Sequence, residues 1–473
     1  MLFNSFHFLF YFIIVTTLFF TLPHKLRWFM LLVASCYFYM SFIPIYLLIL
    51  LFTIVIDYYA GIYIDRSSGK RRKLFLVISL IANIGILAFF KYFNFFNDNI
   101  TTLMTSLGMQ NPIPFLKIIL PIGLSFHTFQ AMSYTIEVYR GNQKPEMNFG
   151  IYALYVMFYP QLVAGPIERP QNLLFQFHEE KSFNYERFLE GIKLMLWGLF
   201  KKIVIADRLS IYVDAVYNNP THHQSLTLIL ATVLFAFQIY CDFSGYSEMA
   251  IGAAHIMGFK LMTNFNRPYF SSSISEFWKR WHISLSTWFT DYLYISLGGN
   301  RVSVPRWYFN LFFVFLVSGL WHGANWTFII WGALNGFYLI VSLVINNNLK
   351  LNIKRNYPLK RQINILITFV LICLTWVFFR ANSVSDGVFI VKSFFNFSNG
   401  FFSGGWKDLI FGVFGILFLI LVESKQVHDH LQKNLLPFKS KQPILNQVFY
   451  GFLILAICLL GVFDGGQFIY FQF

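Results

Sequence analysis

Apolar runs about as long as a bilayer is thick recur along the whole chain, separated by short polar loops. A hydrocarbon core about 30 Å thick takes about 20 apolar residues as helix. The pattern predicts helices over 5–22, 28–43, 45–63, 74–96, 115–136, 149–164, 188–206, 225–241, 247–259, 307–321, 325–345, 363–379, 408–422 and 444–462. Those at 149–164, 247–259 and 307–321 are short and end in Gly, Pro or polar clusters. Open backbone at membrane depth is tolerated only where protein or a water-filled cavity covers it. The expectation is an all-α polytopic membrane protein with about 10–12 transmembrane helices plus re-entrant segments.

Composition agrees. The 473 residues are 57% hydrophobic and 12% charged, against about 25% charged in soluble domains, so the chain reads as one integral-membrane domain over 1–473. A net charge of +15 invites a nucleic-acid partner, but the basic residues fall in short loops, where they set orientation among membrane lipids. Nucleic acid is therefore not expected. Three basic loops read as cytoplasmic: Arg66 to Lys73, Lys350 to Arg361, and Lys425 to Lys441. The run from Leu2 to Leu22 has no basic residue before it and Lys25 and Arg27 after it, which predicts a retained first span with its N-terminus outside. Cys36, Cys241, Cys373 and Cys458 lie in or beside apolar runs without metal-ligand spacing, so packing roles and no metal are expected.

Within the run from Trp307 to Ile345, a glycine-broken polar knot reads Ser318-Gly-Leu-Trp-His-Gly-Ala-Asn-Trp326. An imidazole at membrane depth loses its hydration and must be paired or face a cavity, which makes His322 a candidate for chemistry. Gly319 and Gly323 permit close approach of backbone or substrate. The plainer reading is a core histidine bonded to a carbonyl.

The least apolar internal stretch, Asn264 to Arg306, holds a second histidine. At helical spacing Trp278, Trp281, His282 and Trp288 can share one side, while Lys279, Arg280 and Asp291 supply charge. An interfacial amphipathic helix with a tryptophan belt has this look too. Upstream, Asp242 and Glu248 lie between two apolar runs, where a carboxylate needs a partner. A histidine, a cation or Arg267 are the candidates for Asp242, and a helix-fixing salt bridge is the structural alternative. Further breaks place His127, Gln130, Gln161, Glu168 and Arg169 beside helix-disrupting residues. Glu168 and Arg169 lie near a membrane boundary and are expected to be exposed.

No phosphate-binding glycine loop, zinc-protease motif or nucleophile elbow occurs. A histidine-centred reaction remains, because imidazole can take a proton from a hydroxyl that attacks an activated acyl group.

Taken together, Pro121 to Tyr134, Gln161 to Pro170, Tyr240 to Glu248, Asn264 to Pro268, Phe277 to Asn300 and Gly319 to Asn325 resemble the membrane-bound O-acyltransferases. The likeness is to the bacterial branch of alginate O-acetylases and covers essentially the whole chain. It implies a helical bundle around a central tunnel in the bacterial inner membrane, with 264–345 as the catalytic core segment. It also implies His322 as the essential catalytic residue and His282 as its companion. Acetyl-CoA in the cytoplasm would be the donor, and hydroxyls of an extracytoplasmic polysaccharide (alginate, cellulose or peptidoglycan) the acceptor, with a periplasmic acetyltransferase or hydrolase-like partner. Lys279, Arg280, Arg301 and Asn325 are the residues expected to bind the donor. The tail 468–473 follows an F-x-Y-x-x-F pattern that makes Tyr470 a candidate acyl relay, its alternative being an aromatic interface anchor. Three rivals stay open: D-alanyl transfer from a carrier protein, a lipid or protein acyltransferase, and a transporter built on the same broken helices.

Overall fold

The computed structural model describes residues 1–118, 120–162, 165–348, 358–396, 400–428, 436–463 and 469. Among them there is no strand. The first helices are α1 (Phe6–Thr21), α2 (His24–Met40), α3 (Tyr46–Arg66), α4 (Gly69–Ser106), α5 (Leu124–Arg140), α6 (Phe149–Met157), α7 (Tyr159–Leu162), α8 (Pro170–Leu173) and α9 (Tyr185–Leu199). There follow α10 (Asp207–Tyr217), α11 (Ser225–Ile256), α12 (Ile274–Arg280), α13 (Ile283–Trp288), α14 (Val304–His322) and α15 (Trp326–Asn348). The last are α16 (Pro358–Arg380), α17 (Val384–Ser393), α18 (Trp406–His428) and α19 (Pro443–Leu460). Among the described residues seven helices are long and apolar enough to cross a membrane: α3, α4, α11, α15, α16, α18 and α19. The chain is an all-α, multi-pass membrane protein, as its apolar pattern predicts.

Two compact units form, Met1–Gly191 with Ala250–Met262, and Ile192–Met249 with Thr263–Phe473. In the first, α3, α4 and α5 pack around a buried polar cluster. Asp57 on α3 accepts from Ser79 Oγ at 2.6 Å and from Asn83 Nδ2 at 2.9 and 3.0 Å, both on α4. Ser79 Oγ also donates to Thr135 Oγ1 on α5 at 3.0 Å. A Cβ on Gly61 would lie 2.7 Å from the Tyr134 ring, so only glycine admits this approach of α5 to α3.

Helix α4 extends past the predicted 74–96 to Ser106, because nothing breaks it before Gly108 and its polar side chains find partners. Asn94 Nδ2 donates to the Leu116 carbonyl at 2.7 Å, and Asn97 Nδ2 to the Ile113 and Pro114 carbonyls at 3.2 Å. Its 38 residues reach about 57 Å at 1.5 Å per residue.

The predicted run 149–164 is broken at Phe158, whose ψ of 112° ends α6. The backbone opened there is covered from inside: the Tyr155 carbonyl accepts from Gln130 Nε2 at 2.6 Å and Gln161 Nε2 at 2.7 Å. Both glutamines singled out in the sequence thus serve the break itself.

The predicted runs 225–241 and 247–259 are joined into one helix. Helix α11 continues through Asp242 and Glu248 for 32 residues, because both carboxylates find lysines on the facing segment. Lys202 Nζ lies 2.7 Å from Asp242 Oδ1, and Lys201 Nζ 2.7 Å from Glu248 Oε1. The lysines sit on a π-helical stretch, Phe200–Ala206. The helices meet at glycine: a Cβ on Gly198 would lie 2.4 Å from the Gly245 carbonyl oxygen. Close approach through small residues is the usual device for packing helices in lipid.

The hairpin of α14 and α15 uses it again. A Cβ on Gly319 would stand 2.3 Å from the Phe328 carbonyl oxygen, and one on Gly332 2.3 Å from that of Phe315. Around this hairpin lies the aromatic core of the second unit, with Trp281, Trp331 and Trp376 fully buried.

Candidate active site

His322 is the last residue of α14. The helix stops there because Gly323 turns extended, with φ −162° and ψ 153°, and two residues later Asn325 begins the next helix. Asn325 Oδ1 accepts the Thr327 N–H at 3.0 Å, a helix N-cap. The side chain predicted to bind the donor therefore holds the corner beside the histidine. A Cβ at Gly323 would lie 2.1 Å from the Phe328 ring, so a larger residue at the corner would force that ring to shift.

The imidazole points into an aromatic box. His322 is 5% exposed, and its ring centroid is 4.9 Å from Trp331, 5.0 Å from Trp321 and 5.3 Å from Phe379.

His282 comes from a different turn. The sequence suggested one amphipathic interfacial helix through Trp278, Trp281, His282 and Trp288; the structure instead breaks at Trp281–His282, between α12 and α13. His282 takes a left-handed conformation, φ 42° and ψ 56°, uncommon for a side chain other than glycine. It is 1% exposed, and Trp281 and Trp288 are buried too, so these tryptophans are core rather than belt.

Asn264 is the keystone of this turn. Its carbonyl accepts the Ile283 N–H at 2.9 Å. Its Oδ1 accepts Ser284 Oγ at 2.6 Å and the Ser284 N–H at 3.3 Å, and its Nδ2 donates to Ser247 Oγ on α11 at 3.2 Å. The Asn266 N–H adds a bond to the Arg280 carbonyl at 2.9 Å. Two segments, 264–266 and 280–284, are laced together with His282 at the apex. The His282 ring lies 4.6 Å from Phe243 and 6.3 Å from Trp321. Trp321 is therefore the common neighbour of both imidazoles.

The predicted cations separate. Lys279 and Arg301 are exposed, whereas Arg280 Nη2 pairs with Glu276 Oε1 at 2.6 Å, one helical turn away. Asp242 takes Lys202, not Arg267, as its partner, and the Arg267 Nε donates to Gln426 Oε1 at 2.8 Å. Glu168 and Arg169, expected at the surface, are 0% and 9% exposed. The Glu168 carboxylate accepts the Met262 N–H. His127 belongs to the first unit, where its Nε2 meets Thr53 Oγ1 at 2.6 Å. Tyr470 lies outside the described residues.

Lys201 and Lys202 escaped the sequence reading. Their signal was present: two adjacent cations inside the apolar run 188–206.

Two imidazoles in a nearly dry aromatic setting suit proton transfer and charge stabilisation, since electrostatic interactions strengthen where water is excluded. Comparison with known proteins bears on what they serve. Residues 76–384, which include both histidines, match the model of the membrane-bound O-acyltransferase family. The chain is 40% identical over 402 residues to a probable alginate O-acetylase, AlgI, of Pseudomonas aeruginosa, covering 84% of this chain and 75% of that one. It is 37% identical over 389 residues to the peptidoglycan O-acetyltransferase of Helicobacter pylori, covering 76% and 72%. A teichoic acid D-alanyltransferase of Bacillus subtilis is 30% identical over 277 residues, covering 54% and 68%. With its polytopic helical fold, the chain belongs to the membrane-bound O-acyltransferase family and is a membrane-bound O-acyltransferase.

Proposed function

We propose that this enzyme moves acetyl groups from cytoplasmic acetyl-CoA to hydroxyls of an extracytoplasmic polysaccharide, with His322 as general base. The observation that carries the reading is the burial of His322 and His282 against one ring, Trp321. Acetyl is favoured over D-alanyl because the relatives named for O-acetyl transfer match more of the chain than the D-alanyltransferase does.

In this reaction a hydroxyl gives its proton to the His322 imidazole while its oxygen attacks the thioester carbonyl. The tetrahedral intermediate collapses with cleavage of the C–S bond, and the proton passes from His322 to the departing thiolate, which leaves as the CoA thiol. The His282 ring orients the acyl group or donates to the developing oxyanion. Lys279 and Arg301 draw in the donor's phosphates, with a weaker contribution from Arg280 because Glu276 already neutralises it. Asn325 acts through the corner it caps. Only the acetyl group crosses, so CoA's charges stay out of hydrocarbon. The acceptor is Tyr470 as a relay or the hydroxyl of a periplasmic partner enzyme, in the bacterial inner membrane.

The test uses the purified protein in liposomes with acetyl-CoA inside. Thiol release coupled to acetylation of an external acceptor is the expected result, and its loss in His322→Ala tests the base. Solute flux without thioester cleavage would overturn the proposal in favour of a transporter. For the relay, mass spectrometry of the C-terminal peptide after incubation with acetyl-CoA reads a 42 Da adduct, about the mass of one acetyl group replacing hydrogen.

A further inference from the structure

Leu460, Val462 and Ile469 are tied into the second unit beside a buried ion network. At the end of α19, Arg208 donates from Nε to the Leu460 carbonyl at 3.2 Å and pairs through Nη1 with Asp408 at 2.6 Å. The Val462 N–H then donates to the Ile203 carbonyl of the π-helical stretch at 3.0 Å. Farther on, Ile469 is buried, and its N–H donates to Asp242 Oδ2 at 2.7 Å. The other Asp242 oxygen lies 2.7 Å from Lys202 Nζ, which also meets Asp207 Oδ1 at 2.7 Å. Asp207, Lys202 and Asp242 are all buried.

This geometry is specific in two ways. One lysine between two carboxylates leaves the network short of positive charge, so an additional N–H aimed at Asp242 is a strong, charge-assisted bond. Lys202 also fixes the rotation of the carboxylate, leaving Oδ2 turned toward the Ile469 N–H. The bond goes to backbone, so it holds the chain at one residue whatever side chain stands there. Asp242 is 227 positions from Ile469, and the contact has no role in forming any helix.

We propose that Asp242, oriented by Lys202, is the docking residue for the C-terminal tail and a positioning residue for transfer. Holding the backbone at Ile469 anchors the chain one residue before Tyr470 in the sequence. The docking stands on the bonds above; its consequence for transfer rests on the relay reading of Tyr470.

Hydrogen exchange of the full chain in nanodiscs, read by mass spectrometry on the peptide covering 467–473, tests this directly. Ile469→Pro removes the donor and leaves the Lys202–Asp242 pair intact, and Asp242→Ala removes the acceptor. Each is expected to speed exchange of the tail by about tenfold or more, with peptides from α19 unchanged. Both are also expected to lower kcat while leaving KM for acetyl-CoA near its original value. Wild-type tail protection in Ile469→Pro would overturn the docking, even if Asp242→Ala failed to fold. Tyr470→Phe is expected to keep the tail protected; full transfer in that variant would end the relay and leave the docking standing.

Discussion

The rings of His322 and Trp331 meet edge to face, their centroids 4.9 Å apart and their planes at 84°. Helix α15 therefore sets the tilt of an imidazole that belongs to α14. Replacing His322 with Ala removes the base and leaves the tryptophan wall in place. Acyl transfer is expected to fall by about 10²- to 10⁴-fold, the usual scale of general acid–base catalysis. Steady-state kinetics of purified protein with an unchanged elution profile checks this; near-normal turnover would remove His322 from the role of base.

Asn264 is expected to matter for rate rather than for donor binding, because its bonds go to the turn that carries His282 and to Ser247 on α11. Asn264→Ala deletes bonds to Ser284 and Ser247 and leaves buried groups unsatisfied, at about 1–3 kcal/mol each. The left-handed turn at His282 then loosens. A kcat reduced by about tenfold or more, with KM for the donor little changed, is the expected outcome. A pure loss of affinity would argue that the turn serves binding instead.

Gly319 tests the α14–α15 hairpin. In Gly319→Ala the new Cβ stands 2.3 Å from the Phe328 carbonyl oxygen, a backbone atom that cannot rotate away. Overpacking of this kind destabilises by about 1–3 kcal/mol, and the thermal midpoint is expected to drop. Gly85 on α4 is the control: a Cβ there meets nothing within 4 Å, and Gly85→Ala is expected to melt at or above the original temperature.

Lys201 is a buried cation with two carboxylates beside it. It faces Glu248 at 2.7 Å and Glu423 at 4.0 Å, and Tyr240 donates its hydroxyl proton to Glu423. Lys201→Met leaves Glu248 without its cation while Glu423 keeps the Tyr240 hydroxyl, and removing one member of a buried pair costs about 3–5 kcal/mol. Low recovery of folded protein is expected, restored in part by the double variant Lys201→Met with Glu248→Gln. Wild-type yield from the single variant would mean that water already compensates the site.

The membrane class was legible in the sequence, because long apolar runs have few meanings; His322 stood out as an imidazole inside such a run, and His282 as a candidate in the polar stretch before it. What escaped shares one physical cause. Reading along the chain treats a polar residue as the end of a span, yet Asp242 and Glu248 end nothing, since Lys201 and Lys202 answer them across a helix interface. The same blindness hid Asn83 and Ser79, which solvate Asp57, and placed Glu168 at a surface it does not occupy. Trp278 to Trp288 read as one amphipathic face because helical periodicity cannot register a single left-handed residue; Asn264, distant by 18 positions from His282, imposes it. Asn325 was recognised by its motif, but only the Thr327 N–H reveals that its side chain caps a helix.

The ties that close the second unit also order its manufacture. Asp408 follows Arg208 by 200 residues, Glu423 follows Tyr240 by 183, and Ile469 follows Asp242 by 227. A ribosome therefore delivers Arg208 and Tyr240 long before these later partners exist, whereas Asp242 already has Lys202. Until α18 emerges, Arg208 lacks Asp408 and Tyr240 lacks Glu423, and a chain ending before α18 would leave both without them.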